Sequence, residues 1–299
     1  MSRRRDRQET TEELDMAMVL LHRLRARLST IPDTVPGPWR GSILHEERQF
    51  TAREPIDTLV VANRARARDC LDRLFDLMID DENSRVVASP YAGYALIRTA
   101  IESAAVSLWL IQSARRSDRV IRALQLSYRN TLEGLSLARL IGSADVIAAE
   151  EARVGRTLVR LRELKNSVGQ LRQAELGNPP KYTEILKSVS RQPGRPREEF
   201  EFSSPVAVWK MSSSFIHGSE QVVRMLSDLR QLEDFDEGMA SFELTPKLGL
   251  LAMSAAECVQ LLLRVDDRYS YLCSHDYGGR KVATPTSGTE AGPENSSLK

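Results

Sequence analysis

From Val86 to Ala114 apolar and small residues fill nearly every position, and only two charges interrupt them, Arg98 and Glu102. A helix that is apolar on almost every side has to be enclosed, so the remainder of the chain must supply the elements that surround it. Ser89 and Pro90 mark its start: serine as a side-chain cap for the orphan N–H groups, proline at a position where its missing donor costs nothing. The spacing predicts a helix running to about Gln112. Ile97, Ile101, Ala104, Leu108 and Ile111 form one stripe, and Tyr91, Arg98, Glu102, Ala105 and Trp109 a second face about a quarter-turn away. Leu96, Ala100 and Leu110 fill the remaining arc.

Arg98 and Glu102 stand four apart on one face, which places them partly inside the protein. Local helix stabilisation favours the opposite order, acid before base, so the pair calls for a tertiary role. Two are open: an internal salt bridge that fixes helix register, or one wall of a polar ligand or catalytic pocket.

The same helical period recurs along the chain, and no alternating strand of useful length stands out, so the expected class is all-α, a bundle of about seven to eight helices. Leu14, Met18, Leu21, Leu24 and Leu28 mark a first helix, ended by a loop holding Pro32, Pro36 and Pro38. A second starts near Pro55 and carries Ile56, Leu59, Asn63, Ala67, Cys70, Leu74 and Met78. Further helices are expected over Asp118 to Leu140, Ala144 to Arg172 and, briefly, Tyr182 to Val189. Ser204 with Pro205, and Thr245 with Pro246, repeat the start signal of Ser89 with Pro90 and open two more long helices.

The last of these, reaching about Leu272, contains an apolar run from Leu248 to Val265 that invites comparison with a membrane span. Lys247, Glu257, Gln260 and Arg264 punctuate it, so a central bundle helix is expected and no membrane contact. The domain reading is a flexible N-terminus over 1–9, one helical domain over 10–273, and a disordered Gly-, Pro-, Ser- and Thr-rich tail over 274–299. Arg191 to Glu199 is expected to be an exposed loop.

A net charge of +1 on 299 residues selects no partner, but charge is segregated: Arg115 to Arg172 holds 12 basic and 6 acidic residues, and Asp228 to Glu243 holds 6 acidic residues against Arg230. Solvated faces and internal ion pairs account for this, with nucleic acid along the basic segment as the sharper alternative. Cys258 and Cys273 lie about 22 Å apart on one helix and cannot bridge each other. The basic N-terminus lacks the apolar core of a secretory signal, which makes the cytoplasm the default.

On the helix opened by Pro205, Val208, Met211, Phe215, Val222, Leu226 and Leu229 form the expected core stripe. His217 points away from it, beside Lys210, Ser213, Glu220 and Arg224, flanked by Trp209, Ile216 and Val223. His217 could move a proton and Lys210 could hold phosphoryl charge, as phosphodiester cleavage requires. Metal ligation is not expected, because His22, His45, His217 and His275 are scattered without ligand spacing. No phosphate loop, nucleophile elbow or cysteine cluster is present, so no cofactor is expected. Glu133 and Glu257 lack the Glu-x-x-His partners of bundle di-metal sites and are given structural roles.

Arg98-x3-Glu102-x6-Trp109, followed by Trp209-x2-Ser212-Ser213-x3-His217-Gly218, resembles uncharacterised all-helical proteins common in actinobacteria, over roughly Tyr91 to Arg224. The resemblance implies that Arg98, Glu102 and His217 approach one another, in a polar cluster with Ser213 and Trp109. More distantly, the chain is similar to the HEPN superfamily, helical bundles in which Arg and His cleave RNA without metal, usually across a dimer interface. Here Lys210 stands in place of the arginine, six residues intervene and Met211 follows it.

The expectation is therefore a binding or interaction module whose partner is a small polar ligand or a protein. A metal-independent ribonuclease of stress or phage defence, acting through His217 and Lys210 on RNA, is the alternative, with a homodimer as a possible assembly. Whether the chain is an enzyme stays open at this point.

Overall fold

The computed structural model describes residues 8–82, 85–190, 204–233 and 241–282. Within them the chain forms α1 (Thr11–Ser29), α2 (Ile43–Glu47), α3 (Ile56–Met78), β1 (Ile79–Asp80), β2 (Arg85–Val86), α4 (Pro90–Ile111), α5 (Arg116–Ile141), α6 (Ala144–Ser167), α7 (Tyr182–Ser190), α8 (Pro205–Ile216), α9 (Glu220–Leu226), β3 (Ser227–Gln231), β4 (Phe242–Pro246) and α10 (Leu248–Ser274). Short 3₁₀ turns follow α2 and α6. The protein is all-α in class, with two small antiparallel hairpins, β1 with β2 and β3 with β4.

The apolar helix α4 lies at the centre, against α3, α5, α7, α8 and α10. Ile97, Ile101, Ala104, Leu108 and Ile111 are all buried, as are Ala100, Ala105 and Leu110 from the other faces. α4 and α10 are each long and apolar enough to cross a membrane, yet 72% and 56% of their most apolar windows are covered by the protein itself. The bundle supplies the apolar surroundings that composition demands. Cys70, Cys258 and Cys273 are buried and free, and burial pushes the Cys258 thiol pKa up.

Helix starts follow local chemistry in some places and distant residues in others. Thr10 and Glu13 form a reciprocal capping box at α1. Ser204 Oγ accepts from the Ala207 N–H at α8. Ser89 stands at the N-cap of α4, but its side chain makes no capping bond; Pro90 alone carries the signal.

Thr245 and Pro246 do not open α10. They end β4, paired with Asp228 and Ser227, and α10 begins after Lys247. Its first N–H groups, on Leu248 and Gly249, donate instead to the Glu9 carboxylate at 2.6 and 2.8 Å. A carboxylate from before α1 thus caps the helix on which α1 packs.

The expected long helix through Leu229 is divided. α8 ends at Ile216, and Gly218, with φ +64°, turns the chain before the shorter α9 and the strand β3. Glycine suits this left-handed position because it has no Cβ to clash with the preceding carbonyl.

The domain boundary also moves. Val282 N–H bonds the Ser274 carbonyl, His275 bridges Lys281, and Tyr277 reaches Glu47, so the folded part extends past 273. Residues 1–7 of the expected N-terminal arm, 283–299 of the tail and the loop Arg191 to Glu199 lie outside the described residues.

Candidate functional site

The pairing of α4 with α8 is fixed by Tyr94 and Phe215, stacked with ring centroids 4.0 Å apart and both fully buried. One turn beyond Tyr94, Arg98 meets the end of α8. Its Nε donates to Glu102 Oε1 at 3.3 Å, and its Nη1 lies 3.2 Å from His217 Nε2. A guanidinium has no acceptor, so in this contact Nε2 accepts and Nδ1 carries the ring proton.

Trp209 completes the group. Its indole N–H donates to the same Glu102 Oε1, and the Arg98 guanidinium sits 5.5 Å from its ring centroid. Arg98 and Glu102 side chains are each 24% exposed, and His217 stands at the surface.

The other expected members lie elsewhere. Trp109 is buried farther along α4, its ring beneath Arg122 and its carbonyl accepting from Arg122 at 2.6 Å. Ser213 Oγ donates to the Trp209 carbonyl at 2.7 Å within α8. Trp209, assigned by periodicity to an apolar flank, is the indole of the cluster. Lys210 is exposed, with no side-chain partner among the described residues, and no contact joins it to His217.

On its other side Glu102 lines a cavity of about 240 Å³. Asn63 and Arg66 of α3, Asn130 and Glu133 of α5, and Tyr182 of α7 bring polar groups to the same space. Arg66 Nη1 donates to Asn63 Oδ1 at 3.1 Å, while Glu102 Oε2 accepts no hydrogen bond from the described residues. Glu133, expected to be merely structural, shares this wall.

A second polar centre was not signalled by the sequence. The Arg119 guanidinium forms a two-point ion pair with Glu47, Nη2 with Oε1 and Nε with Oε2 at 3.1 Å, and the two side chains are 1% and 0% exposed. Burial is the largest single influence on Arg119 and lowers its pKa, but the hydrogen bond to Glu47, the Glu47 charge and Tyr277 together outweigh it and leave the pKa raised. Tyr277 Oη donates to Glu47 Oε1 at 2.6 Å.

Around this pair the carbonyls at the end of α4 are covered by arginine. Arg122 takes that of Trp109, Arg268 that of Ile111, and Arg119 and Arg268 share that of Ser113. Cations belong at this negative end of the helix dipole. Much of the basic segment is spent in this way or paired at the surface, as in Arg139 with Glu151, Arg153 with Glu150 and Arg160 with Glu163.

Among the described residues no group of three or more His, Cys, Asp or Glu is placed to hold a metal ion. Comparison with known proteins found no matching family model, no similar curated protein and no similar solved structure.

Proposed function

We propose that this protein is a cytoplasmic binding or interaction module that takes a small polar ligand against Glu102. The observation that carries the reading is the double role of that carboxylate. Oε1 is held by Arg98 and the Trp209 indole, while Oε2 is unengaged on a residue that lines a polar cavity. A carboxylate oriented by two donors is an acceptor prepared before the ligand arrives. Arg66 stands against Glu102 and Glu133 in the lining, and Arg98 pairs with Glu102 from outside it, so opposite charges sit side by side around a space that suits a ligand the size of an amino acid.

The test is a thermal-shift series with free amino acids and short diamines, on the wild type, Glu102→Gln and Asn63→Ala. At least one compound should raise the wild-type melting temperature by about 2 °C, with the shift lost in both variants. No shift across the series would remove the ligand and leave the cluster a helix-orienting contact.

A HEPN-like, metal-independent ribonuclease acting in stress or phage defence is the second reading, favoured by the exposure of both His217 and Lys210. Against it stands the Arg98 contact, which engages the His217 nitrogen needed to accept a proton and sets a fixed positive charge beside it. RNA incubated with the protein in chelator should stay intact. Cleavage that disappears in His217→Ala would establish the nuclease instead.

A further inference from the structure

We propose that the cleft between the first turn of α5 and the turn after α6 binds a phosphorylated small molecule. The cleft has a volume of about 870 Å³, and two arginines, Arg115 and Arg116, line it with no aspartate or glutamate in the wall. Both are exposed to solvent. Ser117 adds a hydroxyl group, while the Ser167 hydroxyl in the same wall donates to the Leu164 carbonyl at 2.6 Å.

Arg116 is held in place from behind. Its Nε donates to Tyr277 Oη at 2.9 Å, and its guanidinium carbon lies 4.5 Å from the Tyr277 ring centroid and 5.5 Å from that of Phe50. Tyr277 in turn donates to Glu47, which the buried Arg119 anchors. The chain of contacts runs from an inaccessible ion pair to a guanidinium at the cleft, whose two Nη groups find no partner among the described residues. A planar fork fixed in this way is prepared for the oxygens of a phosphoryl group.

The surrounding charge has the same sign. Arg119, Arg122 and Arg268 stand behind the cleft, and the carboxylates there are already engaged: Glu47 by Arg119 and Tyr277, Asp118 by Ser113 Oγ at 2.8 Å. Burial pushes the Arg122 and Arg268 pKa values down; the Arg119 charge acts in the same direction on both, and Asp118 opposes it at Arg122. The cleft is larger than a phosphate ion needs, which leaves room for an organic body.

A nucleic-acid backbone presents the same phosphate chemistry, and the experiment separates the two. The full chain is titrated calorimetrically, at constant ionic strength, with inorganic phosphate, adenosine monophosphate and a short single-stranded RNA. The nucleotide should bind saturably with Kd below about 1 mM, weakened roughly ten-fold or more by Arg115→Gln and by Arg116→Met. Arg153→Gln, distant on α6, should leave it unchanged. Arg115 is exposed, and its side chain makes no hydrogen bond or ion pair among the described residues, so Arg115→Gln should fold as the wild type does. Absence of saturable nucleotide and phosphate binding, equal loss in the Arg153 variant, or binding of RNA alone would each overturn the proposal.

Discussion

Glu47 and Arg119, 72 positions apart, meet as a two-point ion pair almost wholly withdrawn from water. Each charge is tolerable only because the other is there, and Tyr277 and the Ser113 carbonyl occupy further sites on the pair. Removing one partner should therefore cost more than removing both. Arg119→Met or Glu47→Leu alone should lower the unfolding free energy by about 3–5 kcal/mol, and the double variant by clearly less. Urea unfolding of the three variants measures this; additive losses would contradict it.

Alkali should attack the same centre through Tyr277. Burial, and then the hydrogen bond to Glu47, raise its phenol from an ordinary value of 10.0 to about 12. The folded state thus favours the protonated phenol. Its contribution to stability is complete below pH 10.0 and is lost as pH rises towards about 12. Wild type and Tyr277→Phe should differ in stability by a constant amount near neutrality and converge across that interval. A difference that does not vary with pH would show that the phenol proton is not involved.

The helical class was legible because a segment as apolar as Val86 to Ala114 leaves few alternatives, and α1, α3, α5, α6 and α7 fall near their expected spans. The second half of the Pro205 segment was not. Val222, Leu226 and Leu229 fit a helical stripe, but Leu229 also alternates with its neighbours, and pairing with Leu244 settles it as strand. Periodicity cannot weigh a partner strand that lies outside the window. Thr245 and Pro246 misled for the same reason, because the α10 cap comes from Glu9 across the fold.

In the candidate site, Arg98 and Glu102 were visible as two charges in an apolar helix. Trp209 was not, since indole burial and indole hydrogen bonding look alike in sequence. Glu47 and Arg119 gave no signal, because each resembles any other surface charge until the chain folds.

Gly218 should respond through its backbone alone. Its φ of +64° is left-handed, and a Cβ built there meets nothing within 4 Å. Gly218→Ala should then cost about 1 kcal/mol, and Gly218→Asn less, because asparagine tolerates this region. Thermal unfolding gives the order. An asparagine cost equal to or above that of alanine would contradict a purely conformational effect.

The Arg98 contacts should couple weakly. Arg98 and Glu102 are each 24% exposed and His217 is at the surface, so water screens the charges that hold the cluster together. A double-mutant cycle of Arg98→Met with Glu102→Gln should give a coupling of about 0.2–1 kcal/mol, smaller still in high salt. Trp209→Phe removes a different donor, the indole N–H on Glu102, while Tyr94 and Phe215 continue to hold α8 on α4. Its effect should fall on the orientation of Glu102, and so on ligand binding, more than on global stability. A coupling above about 2 kcal/mol would assign the cluster to stability, because exposed pairs do not reach that strength.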